Sequence, residues 1–197
     1  MKYFVSISLL LVLISCTGGK TVEGDKFYDN GEYQKALESY NEYLNIYPRN
    51  IKTLYNRART YQKLDNDRMA RQDLEKVLKL DPDHLQGRIT LGEMDFQAGN
   101  YEKAFYEFDK AVTAHKESSV AAAYRAKANQ KLGQVKQAFE DYALAIRLDA
   151  GNGMAHFYRG TLYLSQKNKS AACDDFKRAK ELGIGEAEVA IKKYCRR

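Results

Sequence analysis

Residues 51–84 read IKTLYNRARTYQKLDNDRMARQDLEKVLKLDPDH, and residues 85–118 read LQGRITLGEMDFQAGNYEKAFYEFDKAVTAHKES. Laid over one another without a gap, they put Ala58 on Gly92, Ala70 on Ala104 and Leu74 on Phe108. The register runs on in both directions, because Ala36, Ala70, Ala104, Ala138 and Ala172 recur every 34 residues. It divides the chain into 17–50, 51–84, 85–118, 119–152 and 153–186. A period of this length marks a stacked array rather than a closed globule built around one active site.

Counted from the first residue of each unit, the alanine is place 20. Place 8 is also small: Gly24, Ala58, Gly92, Ala126 and Gly160. Two small residues at these places let two antiparallel helices cross closely. Places 24 and 27 carry Tyr40 with Tyr43, Leu74 with Val77, Phe108 with Ala111, Tyr142 with Ala145 and Phe176 with Ala179, and these are expected to fill the seam with the next unit. Between the helices stand Asn30-Gly31, Asp65-Asn66, Gly99-Asn100 and Gly133-Gln134, residue types that tolerate the left-handed conformation ending a helix. Pro48 and Pro82 close the first two units.

With these residues the chain resembles the tetratricopeptide repeat family over units 17–50 to 153–186. It departs from the family pattern at place 11, where Asp95 and Asn129 replace the usual aromatic, and it has no Trp. The resemblance implies an all-α fold, a right-handed superhelical solenoid of five helix-turn-helix units plus a C-terminal capping helix. It further implies a concave groove lined by places 2, 5, 9 and 12 of each first helix, where a protein or peptide partner binds. The candidate partner-binding residues at these places are Lys52, Tyr55, Arg59, Ile89, Phe96, Lys127, Met154, Phe157 and Leu164, with Lys131 beside them at place 13, basic and aromatic in the middle and apolar toward the end. A subclass of the family clamps the terminal carboxylates of chaperone tails, but of its residue set only Asn56 is matched, so that activity is not expected.

The start of the chain carries a second signal. Met1-Lys2 is a short basic region and Tyr3 to Ile14 an apolar run too short to span a bilayer as a helix. The run ends in Leu13-Ile14-Ser15-Cys16, which looks like a bacterial lipobox. That resemblance implies a signal peptide over 1–15, cleavage before Cys16, acylation of its thiol and new amine, and a short tether over 16–20. An ordinary cleaved signal with a chance Cys, or an uncleaved anchor, is the plainer alternative. Thr17 after the cysteine points to the outer membrane, facing the periplasm.

The net charge of +6 raises the question of nucleic acid, but no run of five basic residues occurs and an exported chain would not meet it. His84, His115 and His156 have no metal-ligand spacing and read as surface or seam residues. The Asp174-Asp175 pair reads as acids at a helix start. No metal, cofactor or enzyme activity is expected. Cys173 and Cys195 fall at nearly level ends of neighbouring helices, so they form either a disulfide or two separate buried thiols. Ala187, Ala190, Ile191 and Tyr194 lie on one helical face and make 187–197 the capping helix.

Arg at place 7 and Asp at place 23 appear together, as Arg57 with Asp73, Arg125 with Asp141 and Arg159 with Asp175, whereas units 17–50 and 85–118 lack both. Such co-occurrence within one chain predicts structural ion pairs joining the two helices of a unit. The functional expectation is a membrane-anchored adaptor in the bacterial envelope. The alternative from another class is an accessory lipoprotein holding a glycan or small molecule for a transport system.

Overall fold

The computed structural model describes residues 17–195, with side chains from Glu23 onward. The segment 1–15 and the acylation expected at Cys16 lie outside the described residues, as do Arg196 and Arg197. Eleven helices and no strand occur among the described residues. They are α1 (Thr17–Asp29), α2 (Tyr33–Ile46), α3 (Ile51–Lys63), α4 (Asp67–Leu80), α5 (Leu85–Gln97), α6 (Tyr101–Ala114), α7 (Ser119–Lys131), α8 (Val135–Leu148), α9 (Gly153–Ser165), α10 (Lys169–Glu181) and α11 (Gly185–Tyr194). The chain falls into two compact units, 1–76 and 77–197, divided within α4.

Each boundary has a local cause. The odd-numbered helices from α3 to α9 start behind the side chains of Asn50, His84, Ser118 and Asn152, each accepting from the backbone N–H three residues on. His84 therefore caps α5 through Nδ1, 3.0 Å from the Gly87 amide. At the other end, Gly31, Asp65, Gly99, Gly133 and Lys167 all have positive φ, 55–78°, at place 15 of successive units. The residue after each donates its N–H to the carbonyl five positions back, as in Glu32 to Phe27 at 2.8 Å and Asn168 to Tyr163 at 2.9 Å. This backbone pattern closes a helix with a left-handed residue. Lys167 holds that conformation without being a glycine, at a cost of about 1 kcal/mol.

Place 24 works inside its own unit as well as at the seam. A Cβ added to Gly24 would meet the Tyr40 ring at 2.6 Å, one on Gly92 the Phe108 ring at 2.5 Å, and one on Gly160 the Phe176 ring at 2.8 Å. The ring thus lies on the bare backbone of the partner helix. Tyr40, Phe108, Tyr142 and Phe176 are fully buried, each contributing about 1.5–3 kcal/mol of apolar transfer. In unit 77–197 the Phe108 ring also stacks on Tyr124 of the following hairpin at 5.1 Å, which is the seam contact expected from the sequence.

The arginines at place 7 make two-point contacts. Arg57 reaches Asp73 at 2.6 and 2.9 Å, Arg125 reaches Asp141 at 2.9 and 2.6 Å, and Arg159 reaches Asp175 at 2.8 Å through each of two nitrogens. Two of them also hold the preceding hairpin, Arg57 through Asn41 and Arg125 through Asp109, both at 2.8 Å. All three aspartates are buried. The hydrogen bond that Arg125 donates to Asp141 raises its guanidinium above its ordinary value against the opposing effect of burial, and the one Arg159 donates to Asp175 does the same there. Asn129, a departure from the aromatic pattern, donates to Asp141 at 3.0 Å. Unit 85–118 has its own pair after all: Arg88, at place 4, meets Glu107 at 2.6 Å.

Asp174-Asp175 sits in the second turn of α10, not at its start. Asp175 is buried between Arg159 and His156, whose Nδ1 lies 3.0 Å away, and Asp174 is exposed. The last helix, α11, begins at Gly185, two residues before the expected 187, and is joined to α10 by a Cys173–Cys195 disulfide with Cα atoms 5.6 Å apart. Ala187 and Ala190 are buried, and Ala190 and Ile191 pack on the Phe176 cluster. Tyr194 is exposed instead of completing the apolar face, with Lys193 Nζ 5.0 Å from its ring centre.

Candidate ligand-binding cleft

Within unit 1–76, Asp25 projects from the third turn of α1 into the angle between α2 and α3. Its Oδ1 accepts from Tyr40 Oη at 2.7 Å and Asn56 Nδ2 at 2.8 Å, and its Oδ2 from Lys52 Nζ at 3.0 Å. Burial alone would raise this carboxyl, but the three hydrogen bonds and the Lys52 charge outweigh it and hold it below its ordinary value. Burial and the Asp25 contact push the Tyr40 phenol upward, so it stays protonated and donating. Arg59, one turn beyond Tyr55 and two beyond Lys52, lies 4.7 Å from the Tyr28 ring centre and 6.0 Å from that of Tyr55. It makes no ion pair among the described residues, so its N–H donors remain available. Asp25, Tyr28, Asp29, Tyr40, Asn56 and Arg59 enclose a cleft of about 220 Å³.

A second cluster in unit 77–197 has the same construction. Glu93, Phe96, Gln97, Phe108, Tyr124 and Lys127 occupy the equivalent six places, two repeats along. Lys127 Nζ lies 4.6 Å from the Phe96 ring centre, as Arg59 lies against Tyr28, and 4.8 Å from that of Tyr158. Tyr124 donates to Glu93 at 2.5 Å. Here the open space is only about 20 Å³.

The sequence-predicted residues distribute unevenly over these sites. Lys52, Tyr55 and Arg59 come together at the first cleft, with Lys52 already bound to Asp25. Phe96 and Lys127 meet at the second, and Lys131 is exposed with Nζ 5.9 Å from the Tyr101 ring centre. Ile89 and Met154 are half-buried and line neither cleft. Phe157 and Leu164 do not stand out as free apolar anchors. Both are half-buried and pack on the cluster of Ala172, Phe176 and Ala190, with the Phe157 and Phe176 rings 5.7 Å apart. Tyr40 escaped the sequence reading because place 24 reads as core alone, and Tyr124 because place 6 was not among the groove places; the 31-residue spacing that Asn56 keeps from Asp25 and Tyr124 from Glu93 was there to be compared. Among the described residues, no group of three or more His, Cys, Asp or Glu could hold a metal ion, and no helix is long and apolar enough to cross a membrane.

Three family models match the chain. One described as TPR repeat covers residues 24–65, and two described as tetratricopeptide repeat cover 51–84 and 125–187. The 51–84 match coincides with one helical hairpin, α3 and α4 with their N-cap linker. The chain belongs to the tetratricopeptide repeat family. Among curated proteins it is similar to a DnaJ homolog subfamily C member 7 homolog of Dictyostelium discoideum, 26% identical over 191 residues, covering 84% of this chain and 35% of that protein. It is also similar to the Hsp70-Hsp90 organizing protein of Triticum aestivum, 32% identical over 82 residues, covering 42% of this chain and 14% of that one. The chain spans about a third or less of the length of these two relatives. Among solved structures, residues 41 to the end of MamA from Desulfovibrio magneticus RS-1 align with TM-score 0.73 at 20% identity, over 84% of this chain and 94% of that one. Pseudomonas aeruginosa pilF aligns with TM-score 0.75 at 16% identity, over 85% and 76%. YrrB, described as a repeat protein with an unusual peptide-binding site, aligns with TM-score 0.68 at 17% identity, over 90% and 92%. At these identities the structural likeness is one of fold. For the tetratricopeptide repeats of this chain, the equivalent places 9, 12, 13 and 24 of one unit and 6 and 9 of the next define the cleft.

Proposed function

We propose that this chain is a lipid-anchored adaptor of the bacterial cell envelope, held at the outer membrane through Cys16 and facing the periplasm, which binds a protein or peptide segment on the first-helix faces of its repeats. The observation that carries the binding reading is Arg59, held against Tyr28 and Tyr55 without an ion pair among the described residues and beside an open cleft. A cation fixed in this way, next to hydrogen-bonding groups, recognises a polypeptide by charge and shape. Relatives named as organising proteins fit the adaptor reading. A disulfide between α10 and α11 accords with an oxidising compartment.

Anchoring and binding have separate tests. Cys16→Ala should release the protein from the membrane fraction and change its mobility on a gel; a product that stays fully membrane-bound with normal mobility contradicts lipidation. Affinity recovery from membranes after mild crosslinking should return an envelope protein, and recovery should fall for Arg59→Ala, more so at low salt than at high salt. Binding to a glycan array without any protein recovered would replace the adaptor by a ligand carrier.

A further inference from the structure

The two equivalent clefts differ in one decisive residue. Place 6 of the following repeat is Tyr124 in the second cleft and Asn56 in the first. Tyr124 occupies its own cleft: the ring stacks on Phe108 at 5.1 Å and an interplanar angle of 27°, and the hydroxyl donates to Glu93. With the phenol in place about 20 Å³ is left open, against about 220 Å³ where asparagine stands. The floor in the first cleft is Tyr40 where the second has Phe108, the acid is Asp25 where the second has Glu93, and the cation on the aromatic wall is Arg59 where the second has Lys127.

We infer that the first cleft is a receptor site for a tyrosine side chain of the bound partner, filled in trans as Tyr124 fills the second cleft in cis. This rests on the adaptor reading for the partner and on the internal repeat for the chemistry. The guest ring enters between Tyr28 and Asn56, over the edge of the buried Tyr40 ring, and its hydroxyl donates to the Asp25–Asp29 side, where Oδ2 of Asp25 accepts from the exposed Lys52 at 3.0 Å. A cationic guest is disfavoured by Arg59, and an aliphatic one brings neither an aromatic ring to the Tyr28 and Arg59 wall nor a further donor to the acid side.

The test is a titration of the purified full chain with N-acetyl-L-tyrosinamide, followed by backbone amide resonances. The tyrosine probe should shift residues 25–29 and 56–59 and saturate. N-acetyl-L-phenylalaninamide should bind roughly fivefold more weakly, for want of one hydrogen bond, and N-acetyl-L-leucinamide should leave these residues unshifted. Asn56→Tyr plugs the cleft and should abolish the shifts. Tyr124→Asn should create a second set at residues 93–97 and 124–127, and this arm decides alone if Asn56→Tyr does not fold. Absence of shifts in the unaltered protein, equal shifts with the leucine probe, shifts that persist in folded Asn56→Tyr, or no new site in Tyr124→Asn each overturn the assignment. Failure here with partner capture intact leaves the adaptor standing, and phenol binding without any partner leaves the site and removes the adaptor.

Discussion

Cutting the Cys173–Cys195 link should loosen α11 more than any other helix. The bridge closes a separation of 22 residues. Chain entropy for a loop of that size is about 11 cal/mol/K, or about 3 kcal/mol at 25 °C. Without it, α11 depends on the buried methyls of Ala187 and Ala190 and the partly buried Ile191, about 2–3 kcal/mol by area. Its ten residues are too few to hold a helix by themselves. Cross-link and packing are thus comparable, and Cys195→Ser should shift the opening equilibrium of α11 by roughly a hundredfold. Amide exchange of 187–194 reads this directly, since a repeat array need not unfold as one cooperative unit. Exchange in α11 that is unchanged by the substitution refutes the reasoning. So does labelling of two thiols in unreduced Cys16→Ala protein, where the bridge leaves none.

Three further outcomes are expected. Arg125→Ala leaves the buried Asp141 without its two-point partner and should cost about 3 kcal/mol in urea unfolding, at the low end for a broken buried pair because Arg125 is partly exposed; a loss under about 1 kcal/mol would mean that the pair behaves as a surface one. Lys167→Gly relieves a left-handed residue and should stabilise by about 1 kcal/mol, whereas a destabilised protein would show that its side chain contributes more than the backbone strain. Asp25 has a folded pKa below its ordinary 3.8, so its contribution is present above that value and lost as pH falls through the lower folded value. Asp25→Asn should therefore flatten that part of the acid limb, and an unaltered acid limb contradicts the linkage.

The periodic features were legible in the sequence because each recurs at a fixed place. Gly24, Gly92 and Gly160 opposite Tyr40, Phe108 and Phe176 announce the helix crossing, and Arg57, Arg125 and Arg159 announce the aspartates they hold. What broke the period was harder to read. Arg88 replaces the place 7 arginine from one turn earlier on the same helix face, so comparing places alone misses its pairing with Glu107. His84 caps a helix where its neighbours have Asn or Ser, and Lys167 sits where glycine is usual, neither being a residue type that signals those roles. Phe157 and Leu164 fall at groove places but pack on the cluster shared with the capping helix, because the last repeat has a different neighbour. The first cleft has Asn56 where the second has the bulkier Tyr124, a difference in side-chain volume that pattern alone does not weigh.

The adaptor account is tested most directly by placing a photoreactive phenylalanine at position 55, beside Arg59, and at exposed position 75 on α4, then irradiating intact cells. The account predicts a discrete adduct with an envelope protein from position 55, lost with Arg59→Ala, and none from position 75. No adduct from position 55, or the same adduct from both positions, would contradict it.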